Sequence, residues 1–93
     1  MIIRIATEGQ YELTGQALAE LDAADNAMLD AIQHADAQAF ARHLANVLDI
    51  VRSRGRRLDD RELKESDLVL PPPDITLEEA RDLFAGYPRD LAP

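Results

Sequence analysis

The sequence contains no cysteine, which excludes disulfides, thiolate metal sites and thiol chemistry. It has no tryptophan and only two phenylalanines and two tyrosines. Alanine, leucine, isoleucine and valine must therefore fill the interior. An alanine-rich core brings helices close but buries little apolar area per residue, so moderate stability is expected, helped by assembly. No apolar run approaches the ~20 residues that cross a bilayer, and any membrane role is expected to be indirect. The first residues hold one arginine and a β-like segment, not an apolar run before a small-residue cleavage site. No signal peptide is expected, and a cytoplasmic location fits. Basic residues are in the minority, ten against eighteen acidic, for a net charge of −8. That balance disfavours nucleic acid as a ligand, because phosphate contacts need clustered Lys and Arg.

What is present has the size of one domain, 93 residues. The domain is placed at residues 1–86, with 87–93 as a C-terminal tail. Its charge is uneven. Residues 1–51 carry two basic and eight acidic groups, residues 52–64 six and three, and residues 65–93 two and seven. The chain is an acidic body with one basic elbow.

The opening MIIRIATEGQYEL reads as a β-hairpin. Ile3, Ile5, Tyr11 and Leu13 share a face at period 2, with a turn at Glu8-Gly9. Thr14 is a helix cap. The stripe Ala17, Leu21, Ala24, Met28, Ile32, flanked by Leu18 and Leu29, predicts a first helix to about residue 35. Glu20, Asp22, Asp25 and Asp30 read as its solvated face. Asp36 caps a second helix with the stripe Ala37, Phe40, Leu44, Val47, Val51, widened by Ala41 and Leu48. The short break makes the two helices an antiparallel hairpin. Gly55 is expected to end the second helix in a left-handed cap, followed by a polar loop from Arg57 to Glu65.

Leu68-Val69-Leu70 is a short strand, the one candidate to complete the hairpin, and it ends at Pro71-Pro72-Pro73. Thr76-Leu77-Glu78-Glu79 is a capping box. It opens a third helix with Leu77, Ala80, Leu83 and Phe84 on its apolar face, stopped by Gly86. The fold class is α+β, in the order β-β-α-α-β-α.

Little in the chain points to chemistry. His34 and His43 lack partners at the i, i+4 spacing that gathers ligands, so no metal site or other cofactor is assigned. No nucleophile elbow, P-loop or dinucleotide motif occurs, and no catalytic residue is assigned. Arg52, Arg54, Arg56, Arg57 and Arg61 are the distinctive charged group. They are read either as helix-end charges paired locally with Asp59, Asp60 and Glu62, or as a docking patch for an acidic protein surface. Strand-edge assembly through the hairpin, with Ile3, Ile5 and Tyr11, is the second candidate interaction.

Arg4-Ile5, Glu8-Gly9-Gln10-Tyr11, Ser66-Asp67-Leu68-Val69-Leu70-Pro71 and the helix opening at Thr76-Leu77-Glu78-Glu79 together resemble the PspAA family. The resemblance covers roughly residues 2–85. It implies a non-enzymatic cytosolic component of the phage-shock membrane-stress response. The implied partner is PspA, a coiled-coil protein that coats damaged membrane, so that membrane contact is indirect. A self-assembling structural or regulatory module unrelated to PspA, a homo-oligomer through strand edges, is the alternative.

Overall fold

Branched side chains at Ile2, Ile3 and Ile5 favour extended backbone. The chain opens with strand β1 (Ile2–Ile5), paired antiparallel to β2 (Gly9–Glu12). The computed structural model describes residues 1–62 and 64–85. The hairpin turns at Ala6-Thr7-Glu8, earlier than the expected Glu8-Gly9. The Glu8 N–H donates to the Ile5 carbonyl at 3.0 Å. Thr7 takes the left-handed conformation (φ 73°), and Gly9 (φ 148°) already belongs to β2.

Helix α1 (Gly15–Gln33) begins after Thr14, whose side chain makes no capping hydrogen bond. Helix α2 (Ala37–Arg54) begins under Asp36, which accepts from the Ala39 N–H at 3.0 Å. Between them the Ala35 N–H donates to Ile32 and the Asp36 N–H to Ala31, with Ala35 left-handed (φ 55°). This is a Schellman closure with alanine where glycine is usual, and it reverses the chain in three residues. The α1 stripe is buried as its spacing predicts. Asp25 corrects the solvated-face reading: it is fully buried, while Glu20 and Asp22 are half-buried and Asp30 is exposed. Asp25 falls four residues after Leu21 and four before Leu29, so it rides on the apolar arc. On α2, Phe40, Leu44, Val47, Leu48 and Val51 are buried, whereas Ala37 and Ala41 are exposed. A single methyl gains little from burial, so periodicity places alanine weakly.

The polar segment after α2 is not all loop. Strand β3 (Arg56–Arg57) pairs antiparallel with β2, Arg57 opposite Tyr11 and Arg56 opposite Glu12. Gly55 is extended (φ −85°, ψ 155°) rather than left-handed, because the chain runs straight from α2 into β3. Strand β4 (Leu68–Leu70) completes the sheet, parallel to β1 with Ile3 opposite Leu68 and Ile5 opposite Leu70. The order is β3-β2-β1-β4, a mixed sheet.

The capping box at Thr76 and Glu79 is formed and starts α3 (Leu77–Leu83). Ala80 and Phe84 are buried, but Leu83 is 51% exposed, which corrects its place on the apolar face. Gly86, read as the stop of α3, and the tail at 87–93 lie outside the described residues.

One face of the sheet carries Ile3, Ile5, Tyr11, Leu13, Leu68 and Leu70, which join the buried sides of the three helices in one core. The outer face carries Arg4, Gln10, Glu12 and Val69. Polar side chains tie the late strand to the early hairpin. The Asp67 carboxylate accepts the Ile2 N–H at 2.8 Å, and the Asp67 N–H donates to the Ile2 carbonyl at 2.7 Å. The buried Gln10 amide donates to the Lys64 carbonyl at 2.7 Å and to Ser66 Oγ at 2.9 Å.

Candidate functional site

Positive charge at a helix C-terminus offsets the carbonyl end of the dipole. Arg52 and Arg54 stand in the last turn of α2, and Arg56 and Arg57 form β3. The sheet brings acidic groups of the hairpin and of α1 against them. Arg52 holds Glu8 through two nitrogens, Nε at 2.9 Å and Nη2 at 2.8 Å. Arg54 pairs with Glu20. Arg56 spans Glu12 at 3.2 Å and Glu62 at 3.5 Å. Arg57 donates to the Glu8 carbonyl at 2.8 Å and lies 5.7 Å from the Tyr11 ring centre, over its face. At Arg61 the backbone N–H donates to Asp59 Oδ1 at 2.9 Å, and the residue is exposed.

The elbow is thus a brace between α2, α1 and the hairpin. Its partners are mainly Glu8, Glu12 and Glu20, with only Glu62 from the local acidic set. Charge counting alone misses these three, since each lies at least 34 residues away in sequence. The brace stays accessible: the side chains of Arg52, Arg54 and Arg56 are 39%, 46% and 57% exposed. Among the described residues Arg57 and Arg61 form no ion pair, and both are exposed.

The carboxylates follow their donors. The Arg52 hydrogen bond holds Glu8 below its ordinary pKa. The Asp59 backbone N–H, then Arg56, do the same for Glu62. The Thr76 backbone N–H and hydroxyl lower Glu79. A carboxyl whose folded pKa is depressed contributes stability above its unfolded value and loses it as pH falls through the folded one. The urea midpoint is therefore expected to fall as pH drops from about 5 to about 3. Glu8→Gln removes one of these three contributions and should flatten the slope. A midpoint constant across that range would refute the brace as a pH-sensitive element.

Beside the brace, residues that follow β3 border an open cleft of about 350 Å³ with Arg4, Gly9 and Gln10 of the hairpin. Arg4 and Lys64 face Asp59, Asp60, Glu62 and Glu65 there, over Gln10 and the buried Leu58. Glu62 is held ionised, the reverse of what a general acid needs. His34 Nδ1 lies 2.7 Å from the Asp30 carbonyl, at the end of α1, and His43 is half-buried on α2. Among the described residues no three His, Asp or Glu converge as metal ligands, and no helix is long and apolar enough to cross a membrane.

The second predicted site is dispersed differently. Ile3 and Ile5 are fully buried on β1, and Tyr11 is buried on β2. Both strands have neighbours on both sides, so among the described residues the open edges of the sheet belong to β3 and β4.

A family model described as PspAA, PspA-Associated protein, matches residues 1–90. No curated protein and no solved structure matches the chain.

Proposed function

The chain belongs to the PspAA family, and from that membership we propose that it is a non-enzymatic adaptor that binds a PspA-like scaffold protein. The observation that carries this is the reach of the family match, residues 1–90 of 93. The adaptor works in the cytoplasm in the membrane-stress response, and its partner brings it to the inner face of the membrane. The surface best suited to an acidic partner is the elbow. The guanidiniums of Arg52, Arg54, Arg56 and Arg57 are held by carboxylates or a carbonyl, and among the described residues Arg57 and Arg61 are exposed without an ion pair. A preorganised arginine loses little entropy on taking a second acceptor.

The test is light-scattering mass of the protein alone and mixed with the PspA-like protein of the same genome. A complex whose mass is the sum of its parts, and which weakens as salt rises, is expected. Arg57→Gln with Arg61→Glu should weaken it about tenfold while leaving the circular dichroism unchanged. Absence of any complex at low salt would refute the adaptor reading. An intact complex in the double variant would move the docking surface away from the elbow.

A further inference from the structure

The two open edges of the sheet are built differently. The β3 edge is two arginines long, held in the brace, and charged edges resist pairing with another strand. The β4 edge is Leu-Val-Leu, without a charge. Val69 is 52% exposed at its centre, one of two large apolar side chains so exposed among the described residues.

Among the described residues nothing pairs with the side of the β4 backbone away from β1. In a parallel ladder alternate residues turn both N–H and C=O toward the neighbour. The Ala6 N–H donates to the Leu70 carbonyl, so Leu70 and Leu68 serve the ladder with β1. The N–H and C=O of Val69 therefore point away from the sheet. A strand that offered this donor and acceptor would extend the sheet at Val69.

We propose that the strand is β4 of a second copy of this chain. Leu68-Val69-Leu70 reads the same in both directions. Antiparallel self-pairing about Val69 places valine against valine and each leucine against the other copy's leucine. The two valines exchange both backbone hydrogen bonds across a twofold axis. The next positions out set Asp67 against Pro71, so no like charges stand opposite each other. Val69 lies on the outer face of the sheet and is covered by its equivalent. Pro71, Pro72 and Pro73 lack N–H groups and stop the pairing after one turn of the ladder. The product is a twofold dimer with one eight-stranded sheet, a closed isologous assembly rather than a fibre.

The edge is three residues long, so the contact is small and the dimer is weak and concentration-dependent. Each copy carries −8, so salt strengthens the association by screening repulsion. A complex held by the elbow responds to salt in the opposite direction.

The experiment is sedimentation equilibrium of the full chain alone, at rising concentration and at two salt levels. The mass is expected to climb from 10.3 kDa toward twice that value, and further at high salt. Val69→Pro removes the outward N–H without touching the ladder to β1, and should hold the mass at the monomer value with unchanged circular dichroism. Val69→Lys, which sets two cations on the dyad, should do the same and serves if the proline variant unfolds. A wild-type chain monomeric throughout would overturn the proposal. So would association that survives both substitutions, or that weakens with salt. None of these outcomes bears on binding to a PspA-like protein, so the two readings fail separately.

Discussion

Gly55→Ala is expected to lower the unfolding free energy by about 2–3 kcal/mol and to shift the urea midpoint downward in step. Glycine is needed here for room, since its φ of −85° is open to any residue. A Cβ would stand 2.5 Å from the Val51 carbonyl oxygen, 2.8 Å from Leu13 Cδ1 and 3.1 Å from Tyr11 Cβ. That carbonyl accepts the Gly55 N–H at 3.0 Å, so it cannot retreat without losing the bond that closes α2. Leu13 and Tyr11 belong to the core. The relief available is to lift β3 off β2, which opens the Arg56–Glu12 pair and draws Arg57 from the Tyr11 ring. The variant should therefore lose stability and elbow geometry together. A midpoint equal to wild type would show that the α2–β3 junction yields freely, and would remove the argument for glycine at this position.

Phe40→Ala should cost still more, about 3–5 kcal/mol, the usual range for emptying a core phenylalanine site. Phe40 is 2% exposed and the largest fully buried side chain among the described residues. The void would not close easily. Four of the buried positions, Ala17, Ala24, Ala31 and Ala80, are alanine, and alanine has no rotamer to swing into a space. A protein of this size has roughly 5–14 kcal/mol in all at 0.05–0.15 per residue. The substitution thus consumes a large share of it. Thermal melting should fall by about 15–30 °C and keep a single transition. A loss under about 1 kcal/mol would mean that the helical hairpin contributes little to the core, contrary to its burial.

Much of the architecture is legible in the sequence because each element carries its own period. Ile3, Ile5, Tyr11 and Leu13 alternate, and they line the inner face. The α1 stripe and the core of the α2 stripe are buried as spaced. Asp36 and Thr76 announce their helices because a capping side chain acts on residues three positions away. Leu68–Leu70 was identifiable as a third strand because it is a short apolar run bounded by turn formers.

What the sequence conceals depends on distant partners. Arg56 and Arg57 have no apolar alternation, and only pairing with Tyr11 and Glu12 makes them a strand. Gly55 invites a left-handed cap by its identity, whereas Leu13 and Tyr11 decide its use. Asp25 is charged by type and buried by position. At the candidate site the arginines were visible as a cluster, but their ion-pair partners Glu8, Glu12 and Glu20 were not. The open sheet edge likewise moves from the hairpin to β4 once β3 is in place, which strand counting could not supply.

The parallel pairing of β1 with β4 sets an order on synthesis. Ile3 and Leu68 are neighbours in the sheet yet 65 residues apart in the chain. The hairpin and both long helices leave the ribosome before the strand that seals β1. Until Leu68–Leu70 emerges, the edge of β1 lies bare and the Ile2 N–H lacks the Asp67 carboxylate that receives it. A nascent or prematurely terminated chain therefore displays an unpaired apolar strand, the surface on which chaperones and proteases act. A chain that stops short of Leu68 therefore lacks the strand that closes β1.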